Sequence, residues 1–286
     1  MHNYTLMERA LFVPSSINFK KLQKEVTGKT ILITGASSGI GKELAYLLSH
    51  TTAHLILVAR REAAMNAMKT EIEKFSAKVT VYRTDLRNEV EVEELLAFLH
   101  QLEGGVDIVV SNAGISINRP IARSLERYHD FTRTMALNYF APIQLLLSLI
   151  PVLARNKGHI VNVSTINVLL FPLPYWAAYQ ASKTAFDTWL RSAEPELALN
   201  NISTTSIYLP LVKTPMIEPT VAYRTSPAMS AVHVAEIIGH ALYSRRRTYK
   251  PWWLIIGQWA SLLFRAPLSY ITPKFLARKE RERGNA

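Results

Sequence analysis

Residues 29–41 read KTILITGASSGIG, an apolar run that leads into a glycine-rich turn and the start of a helical pattern. Gly35 permits the tight turn, Gly39 lets the backbone approach a pyrophosphate, and Gly41 lets the following helix pack closely on the strand. The amino terminus of that helix presents N–H groups and a partial positive charge, which favour phosphate. The stretch therefore predicts a strand–turn–helix unit that binds a dinucleotide. The residues expected to hold it are Gly35, Ser37, Ser38, Gly39, Ile40 and Gly41.

Further strand-like runs follow along the chain and alternate with helical patterns. They begin at His54 (HLILVA), Lys78 (KVTVYR), Asp107 (DIVVSN), His159 (HIVNVS) and Ser203 (STTSIYL). This alternation is typical of βαβ units in a parallel sheet that is covered on both faces. Right-handed crossovers then give a doubly wound sheet. We predict one α/β domain over residues 28–245, an extension at residues 1–27, and a basic, partly apolar tail at residues 246–286.

Charge is unevenly distributed along the 286 residues, whose formal net charge is +11. From Arg245 to Arg283 there are ten lysines and arginines and two glutamates, so most of the excess lies in the tail. The rest of the chain is close to neutral, which argues against a nucleic-acid partner. The chain has no cysteine. This excludes disulfides, thiol catalysis and cysteine-ligated metals, and we expect no metal site.

The second strand-like run ends in Ala59-Arg60-Arg61 rather than in an acidic residue. An acid here would bind the 2′-hydroxyl of the adenosine ribose and repel a 2′-phosphate, whereas an arginine has the opposite preference. Arg60, with help from the Ser37 hydroxyl, therefore favours NADP(H) over NAD(H) as the cofactor. The alternative interpretation is a solvated basic turn.

Four more motifs follow in order: Asp85-Leu86, Asn112-Ala113-Gly114, Asn138 in MALNYF, and Tyr179-Gln-Ala-Ser-Lys183. With the glycine turn, they resemble the short-chain dehydrogenase/reductase family, of the type with a single Rossmann domain, over residues 28 to about 245. The resemblance implies that Asp85 and Leu86 lie at the adenine of the cofactor. It also implies that Asn112, Ala113 and Gly114 close the cofactor cleft, and that Asn138 belongs to a catalytic tetrad.

Tyr179 and Lys183 are four residues apart, a spacing that places both side chains on one face of a helix. A lysine ammonium at that position lowers the pKa of the phenol from about 10. The resemblance implies that Lys183 also holds the nicotinamide ribose and that Tyr179 donates a proton to the substrate oxygen. It further implies that Asn138 holds a water that passes replacement protons through Lys183.

The fourth member of the tetrad is a hydroxyl at the end of a strand, where this chain has Ser164-Thr165. Matching NVST to the strand end of the family places Thr165 in the catalytic position. Ser164 is the alternative, although alternation along a strand would aim it at the opposite face. After the next strand the resemblance implies that Val212 and Thr214 border the nicotinamide.

The loop between Thr165 and Tyr179 is strongly apolar. Its pocket-lining residues are Leu169, Leu170, Phe171, Leu173, Tyr175 and Trp176. The resemblance implies that a variable loop, Met216–Met229, covers the substrate. An apolar pocket wall favours a lipid-like substrate, and the runs that begin at Ser116 and Ser206 resemble bacterial reductases of long-chain fatty acyl-CoA.

These residues lead us to expect an NADPH-dependent reductase that transfers hydride to the carbonyl of a fatty acyl-CoA, a fatty aldehyde or a 3-keto lipid. The alternative is an NADP(H)-binding sensor or scaffold that has the same fold and little turnover. The joint presence of Asn138, Tyr179 and Lys183 favours the enzyme, because a binding module does not need a tuned phenol.

Two apolar stretches have different interpretations with respect to a membrane. The uncharged stretch Thr134–Ala154 is interrupted by Asn138 and two prolines, which favours a buried helix over a membrane span. PWWLIIGQWASLLFR (Pro251–Arg265) is too short to span and is flanked by cations, as in segments at a membrane interface. A hydrophobic lid or an oligomer contact is the alternative for this segment.

No amino-terminal signal peptide is evident, because the first 21 residues have an acid, bases and a proline in place of an apolar run. We expect a cytoplasmic protein, with peripheral contact at the inner face of a membrane through its tail. The helix from Thr134 and the helix after Tyr179 resemble the pair through which family members dimerise, so a homodimer or homotetramer is expected.

Overall fold

Seven parallel strands form the central sheet of the computed structural model, which describes residues 4–14, 16–218, 220, 223 and 225–284, and side chains through residue 278. The strands of this sheet are β1 (Thr30–Thr34), β2 (His54–Ala59), β3 (Lys78–Arg83), β4 (Ile108–Ser111), β5 (His159–Thr165), β6 (Ser203–Leu209) and β9 (Thr248–Tyr249). Their order is β3-β2-β1-β4-β5-β6-β9, and every neighbouring pair is parallel. The doubly wound α/β fold predicted from the sequence is confirmed.

Helices cover both faces of this sheet, which is why its strands are nearly continuous apolar runs. All five residues of β1 and all seven of β5 are buried. One face carries α2 (Phe19–Val26), α3 (Gly39–Leu48), α4 (Glu62–Ile72) and α9 (Ala231–Ser244). The other carries α5 (Glu89–His100), α7 (Ala141–Arg155) and α8 (Ala177–Leu199).

The two ends of the chain are joined to this domain more closely than the sequence suggested. The amino-terminal extension forms α1 (Leu6–Leu11) and α2, and Leu22 and Val26 of α2 are fully buried in the core. At the other end, β9 pairs with β6 through Ser206 and Ile207. The sheet therefore continues past residue 245, where the sequence placed the end of the domain.

A long helical run lies on the second of the two faces of the sheet. It consists of α6 (Tyr128–Met135), a π-helical turn (Ala136–Phe140) and α7. The run is long and apolar enough to cross a membrane, but so are core helices of water-soluble folds. Leu145, Leu149 and Leu153 of α7 are buried against the sheet, so α7 packs as a core helix.

Two helices follow the sheet at the carboxyl-terminal end: α10 (Leu254–Leu263) and α11 (Arg265–Gly284). Trp252 and Trp253, just before α10, donate their indole N–H groups to the carbonyl oxygens of Ala10 and Leu11, at 3.1 and 3.3 Å. The tail thus packs beside α1 on the domain.

A short second sheet pairs β7 (Val212–Lys213) with β8 (Met229–Ser230).

Candidate active site

The carboxyl ends of the strands meet at one edge of the sheet, where open α/β folds bind their ligands. The glycine turn follows β1, and Asn112 follows β4. Thr165 ends β5, and Thr214 follows β7. Residues from distant parts of the sequence thus converge at this edge.

The glycine turn is packed so closely that its second and third glycines have no space for a side chain. Gly39 has φ of +54°, and a Cβ there would lie 2.9 Å from Cγ2 of Thr214. A Cβ on Gly41 would lie 2.6 Å from the carbonyl oxygen of Gly35, closer than packed atoms approach. The amino terminus of α3 opens at Gly39, next to Ser38 and Ile40, and points its N–H groups out of the turn. The residues present therefore fit a pyrophosphate.

Asn112 fixes the loop after β4 against the glycine turn. Its side-chain amide donates to the carbonyl oxygen of Thr34 at 2.9 Å, and its backbone N–H donates to the Thr34 hydroxyl at 3.0 Å. The backbone N–H of Ala113 donates to the same hydroxyl at 3.1 Å. The Asn112-Ala113-Gly114 motif thus forms the wall opposite the turn.

The structure distinguishes the two arginines at the end of β2. Arg61, which the sequence analysis did not select, donates to the Ser37 hydroxyl at 3.2 Å and to its carbonyl oxygen at 3.1 Å. Arg60 is exposed and lies near Asp85. The adjacent pair of arginines was the available signal, and only the backbone path shows which one turns toward Ser37.

Asp85 lies after β3, beside the buried Leu86. Its carboxylate accepts two hydrogen bonds from the Arg87 guanidinium, at 2.9 and 2.5 Å, and these bonds hold the pKa of Asp85 below its usual range. An adenine at this position would therefore meet an ion pair rather than a lone carboxylate.

Asn138 lies in the π-helical turn, a feature that often marks functional sites in long helices. Its Oδ1 accepts from the N–H of Ile115 at 2.9 Å, and its Nδ2 donates to the carbonyl oxygen of Ile115 at 3.0 Å. Nδ2 also donates to the Ser182 hydroxyl at 2.9 Å. Gly114 has no side chain, and a Cβ there would lie 3.3 Å from Asn138 Oδ1 and 3.5 Å from Lys183 Nζ, so Asn138 and Lys183 both face this glycine.

Tyr179 and Lys183 lie one turn apart on α8, as predicted. Burial raises the pKa of Tyr179 to about 12, although a hydrogen bond with Thr165 opposes that shift. Burial also lowers the pKa of Lys183 to about 8, and its ammonium donates to the carbonyl oxygen of Val163 at 3.1 Å. The expected lowering of the phenol pKa by Lys183 is not seen, and burial decides the direction of the shift.

The structure brings Thr165 to Tyr179 and does not bring Ser164 there. The two hydroxyls alternate along β5, as strand geometry requires. The Thr165 hydroxyl accepts from the N–H of Asn167 at 3.3 Å and hydrogen-bonds Tyr179. The Ser164 hydroxyl is buried and has no hydrogen-bond partner in the described part of the chain.

The apolar loop between β5 and α8 is held over the site by Gln180, which the sequence analysis did not select, and by Trp176, which it did. Gln180 accepts from the N–H of Leu173 at 3.0 Å and donates to the carbonyl oxygen of Asn167 at 2.8 Å. The Trp176 ring packs edge-on against Tyr179, at 5.8 Å between centroids. A side chain next to Tyr179 that bonds both ends of a loop is recognisable only once the loop is folded.

The two chain ends cover this loop and the next one. The Ser261 hydroxyl of α10 accepts from the N–H of Phe171 at 3.0 Å. On the other side, the buried Glu8 of α1 pairs with Lys213 at 2.7 Å and accepts from the N–H of Ala228 at 3.2 Å. Glu8 therefore joins both ends of the predicted substrate loop, of which Pro219, Val221, Ala222 and Arg224 lie outside the described residues.

Comparison with known proteins agrees with this geometry. A family model described as short chain dehydrogenase matches residues 29–224. The chain belongs to the short-chain dehydrogenase family, and it is therefore an oxidoreductase.

Among members of the short-chain dehydrogenase family, two relatives carry the name fatty acyl-CoA reductase. One, from Acinetobacter baylyi, is 40% identical over 79% of this chain and 78% of its own length. Another, from Mycobacterium tuberculosis, is 42% identical over 74% of this chain and 72% of its own length. The solved structure of a short-chain dehydrogenase from Sphingobium yanoikuyae in complex with NADPH aligns with a TM-score of 0.72, at 22% identity, over 85% of this chain and 95% of that one. At that identity the solved structure supports the fold alone.

Proposed function

We propose that the protein is an NADPH-dependent reductase of long-chain fatty acyl-CoA. The observation that carries this proposal is the convergence of Thr165, Tyr179 and Lys183 beneath the apolar loop, which α10 covers. Leu170 of this loop packs against Gly257 of α10, so a reacting carbonyl placed next to Tyr179 would have apolar side chains beside it for its acyl chain. The names of the two relatives described above agree with this substrate class.

In the proposed reaction, the Thr165 and Tyr179 hydroxyls donate hydrogen bonds to the thioester carbonyl oxygen. The glycine turn, Asn112–Gly114 and Lys183 would hold NADPH, which would supply a hydride for the carbonyl carbon. Tyr179 gives its proton to the oxygen as the C=O double bond becomes a single bond. A phenol with a pKa of about 12 is protonated at neutral pH, as a proton donor must be.

The product of that step is a hemithioacetal, which loses its thiol to give a fatty aldehyde and free coenzyme A. Lys183 and Asn138, which both lie next to Gly114, would pass the replacement proton to Tyr179. The further reduction of the aldehyde to an alcohol would repeat the same hydride and proton transfer.

The test of this function is a substrate comparison that follows NADPH oxidation together with product identity. We expect long-chain acyl-CoA to give one aldehyde and one free thiol for each NADPH consumed, or one alcohol for each two NADPH. Fatty aldehydes and 3-keto lipids are the competing substrates. NADPH consumption with 3-keto lipids and none with acyl-CoA would overturn the acyl-CoA proposal.

Preference for NADPH over NADH is assigned to the two arginines after β2. Arg61, placed on Ser37, would pair with the 2′-phosphate, while Arg60 borders the adenine side near Asp85. Substituting Arg61→Ala should raise KM for NADPH by about tenfold or more and leave KM for NADH unchanged. The neighbouring Arg60→Ala, which removes the same charge, is the matched comparison and should have the smaller effect.

We also propose that α1 and α10 rest on an anionic membrane at the inner face of a cell envelope. Ile256, Trp259 and Leu263 of α10 are each more than 60% exposed, and Leu6 of α1 is 86% exposed. The described cations on either side of α10 are Lys250, Arg265, Lys274 and Arg278. Exposed apolar side chains flanked by cations are the composition of an interfacial segment.

Sedimentation with phosphatidylglycerol vesicles tests the membrane proposal. The double variant Trp259→Ser/Leu263→Ser should lose most vesicle binding, whereas Leu199→Ser, an exposed leucine at the end of α8, should keep it. Equal binding by both variants would contradict the proposal.

A homodimer or homotetramer through α7 and α8 is the assembly that we propose. The outer face of α8 forms a groove of small side chains, which include Ala181, Thr184, Ala185 and Thr188. Phe140 and Leu147 of the neighbouring helical run are exposed by more than half. Light scattering should show that Ala185→Glu is a monomer if this groove is the contact.

A further inference from the structure

A single buried carboxylate is surrounded by three arginines at the start of the long helical run. Asp130 has a side chain that is 2% exposed. Arg119 and Arg127 direct their Nε atoms to it at 2.9 and 3.1 Å, and Arg133 contacts its other oxygen at 2.7 Å. Although burial opposes ionisation, these guanidinium groups hold the pKa of Asp130 below its usual range. The cluster therefore contains three arginines and one carboxylate, with Nε2 of His129 at 3.4 Å from the same carboxylate.

One arginine is enough to neutralise one carboxylate, so the cluster has more positive charge than its own pairing requires. The three arginine side chains remain 32%, 39% and 36% exposed. The terminal nitrogens of Arg119 and Arg127 donate to no other residue in the described ranges. Glu126 is the other acid on this segment, and it is exposed. Forked N–H donors thus remain available toward solvent.

Two independent connections link the arginine cluster to the residues of the candidate active site. The backbone N–H of Arg119 donates to the carbonyl oxygen of Tyr175 at 2.8 Å, and Tyr175 is four residues before Tyr179. Asp130 precedes Asn138 by eight residues on the same helical run, or about 12 Å at about 1.5 Å per residue. The arginines therefore stand at the mouth of the site rather than inside it.

We propose that Arg119, Arg127 and Arg133 form a binding site for the phosphate groups of the coenzyme A part of the substrate. This inference rests on the proposed function, because it requires a thioester whose carrier is anionic. The pantetheine arm between thioester and phosphates is roughly as long as five extended residues, or about 17 Å at about 3.4 Å per residue. An arm of that length can span the separation of about 12 Å between Asp130 and Asn138 along the helical run. Guanidinium forks match phosphate oxygens in charge and in geometry.

The experiment compares two thioesters that differ only in their phosphates, dodecanoyl-CoA and dodecanoyl-pantetheine. Arg127→Gln leaves two arginines to neutralise Asp130, so the fold should survive. We expect this variant to raise KM for dodecanoyl-CoA by about tenfold, with kcat unchanged, and to leave both constants for dodecanoyl-pantetheine unaltered. Arg127→Lys, which keeps the charge but not the fork, should recover part of the loss.

The matched control is Arg155→Gln, which removes one exposed arginine from the opposite end of the same helical run. It should leave KM for both thioesters unchanged, and KM for NADPH should be the same in every variant. Equal changes with the two thioesters, or no change with either, would overturn the phosphate site.

A separate binding measurement keeps this inference distinct from the proposed reaction. If the wild-type protein consumes no NADPH with either thioester, the proposed function fails. Calorimetric titration with free coenzyme A then tests the cluster alone. Weaker binding by Arg127→Gln than by Arg155→Gln supports the site, and equal binding by the two variants refutes it.

Discussion

Helices α7 and α10 are both apolar and uncharged along most of their length, yet the structure uses them in opposite ways. Leu145, Leu149 and Leu153 of α7 are buried against the sheet. Ile256, Trp259 and Leu263 of α10 are mostly exposed. Composition does not decide burial. What decides it is whether a helix has a sheet face to cover, and the faces of this sheet are already occupied when α10 begins.

Helices α7 and α10 also differ in what they contribute to the candidate site. The helical run of α7 carries Asn138 and holds it against Ile115 and Ser182, so its burial fixes the position of this side chain in the candidate site. The apolar surface of α10 covers Leu170 and Phe171 and leaves its remaining apolar side chains available to lipid. Perturbing α7 should therefore change stability, and perturbing α10 should change substrate and membrane access.

The largest expected effect is on stability, from a pair of truncations that match in chemistry. Leu149→Ala in α7 should lower the free energy of unfolding by about 2–5 kcal/mol, because it leaves a cavity beneath the sheet. Leu263→Ala in α10 should stay within about 0.5 kcal/mol of wild type. Urea unfolding of both variants checks the pair. Similar losses would mean that α10 is part of the core.

The next largest effect is expected on the pH dependence of stability. It tests the contact between Glu8 and Lys213, which joins α1 to the domain. Hydrogen bonds from the Lys213 side chain and from the N–H of Thr5 lower the pKa of Glu8 from 4.5 to about 2. Its contribution to stability is therefore present above about pH 4.5 and is lost as the pH falls toward 2. Unfolding midpoints measured across that window should fall less steeply for Glu8→Gln than for wild type, and that variant should be less stable at pH 7. Parallel curves for the two proteins would show that Glu8 is not bound in solution as it is here.

The pH dependence of reduction should depend on the buried Lys183 of α8 and not on the exposed side chains of α10. Lys183 has a pKa lowered to about 8 by burial, so it loses its proton above that pH. If protonated Lys183 supports Tyr179, the reductive kcat/KM should fall by about tenfold per pH unit well above 8. The Trp259→Ser/Leu263→Ser variant should show the same profile. A profile that stays flat up to pH 10 would remove Lys183 from the reaction.

The smallest effect is expected where α10 touches the substrate loop. Ser261→Ala removes the hydroxyl that accepts from Phe171 N–H, a hydrogen bond worth about 1 kcal/mol. KM for long-chain acyl-CoA should rise by about two- to fivefold, and KM for a short-chain thioester should stay the same. Equal shifts for long and short chains would place the contact outside the acyl path.

Local patterns were enough to predict the scaffold and much of the site from the sequence. The strands from Thr30 to Leu209 are apolar runs, and the fold follows from their alternation with helices. The spacing of Tyr179 and Lys183 was enough to predict that they lie one turn apart, because residues i and i+4 share one face of a helix.

Features that depend on distant contacts were not accessible in the same way. Glu8 reaches Lys213 and Ala228 across more than 200 positions of sequence, and no local pattern marks such a pair. The selection of Arg61 rather than Arg60 at Ser37 depends on how the chain turns after β2. The pKa of Tyr179 was expected to fall, but spacing predicts proximity and says nothing about desolvation.

The measurement that most directly tests the central claim is a single-turnover reduction of long-chain acyl-CoA by Tyr179→Phe. Tyr46→Phe on α3 is the matched control, since it removes a phenol hydroxyl away from the catalytic edge. We predict that Tyr179→Phe binds NADPH as wild type does and transfers hydride about 10²- to 10⁴-fold more slowly, while Tyr46→Phe is unaffected. Unchanged hydride transfer in Tyr179→Phe would contradict the assignment of this tyrosine as the proton donor.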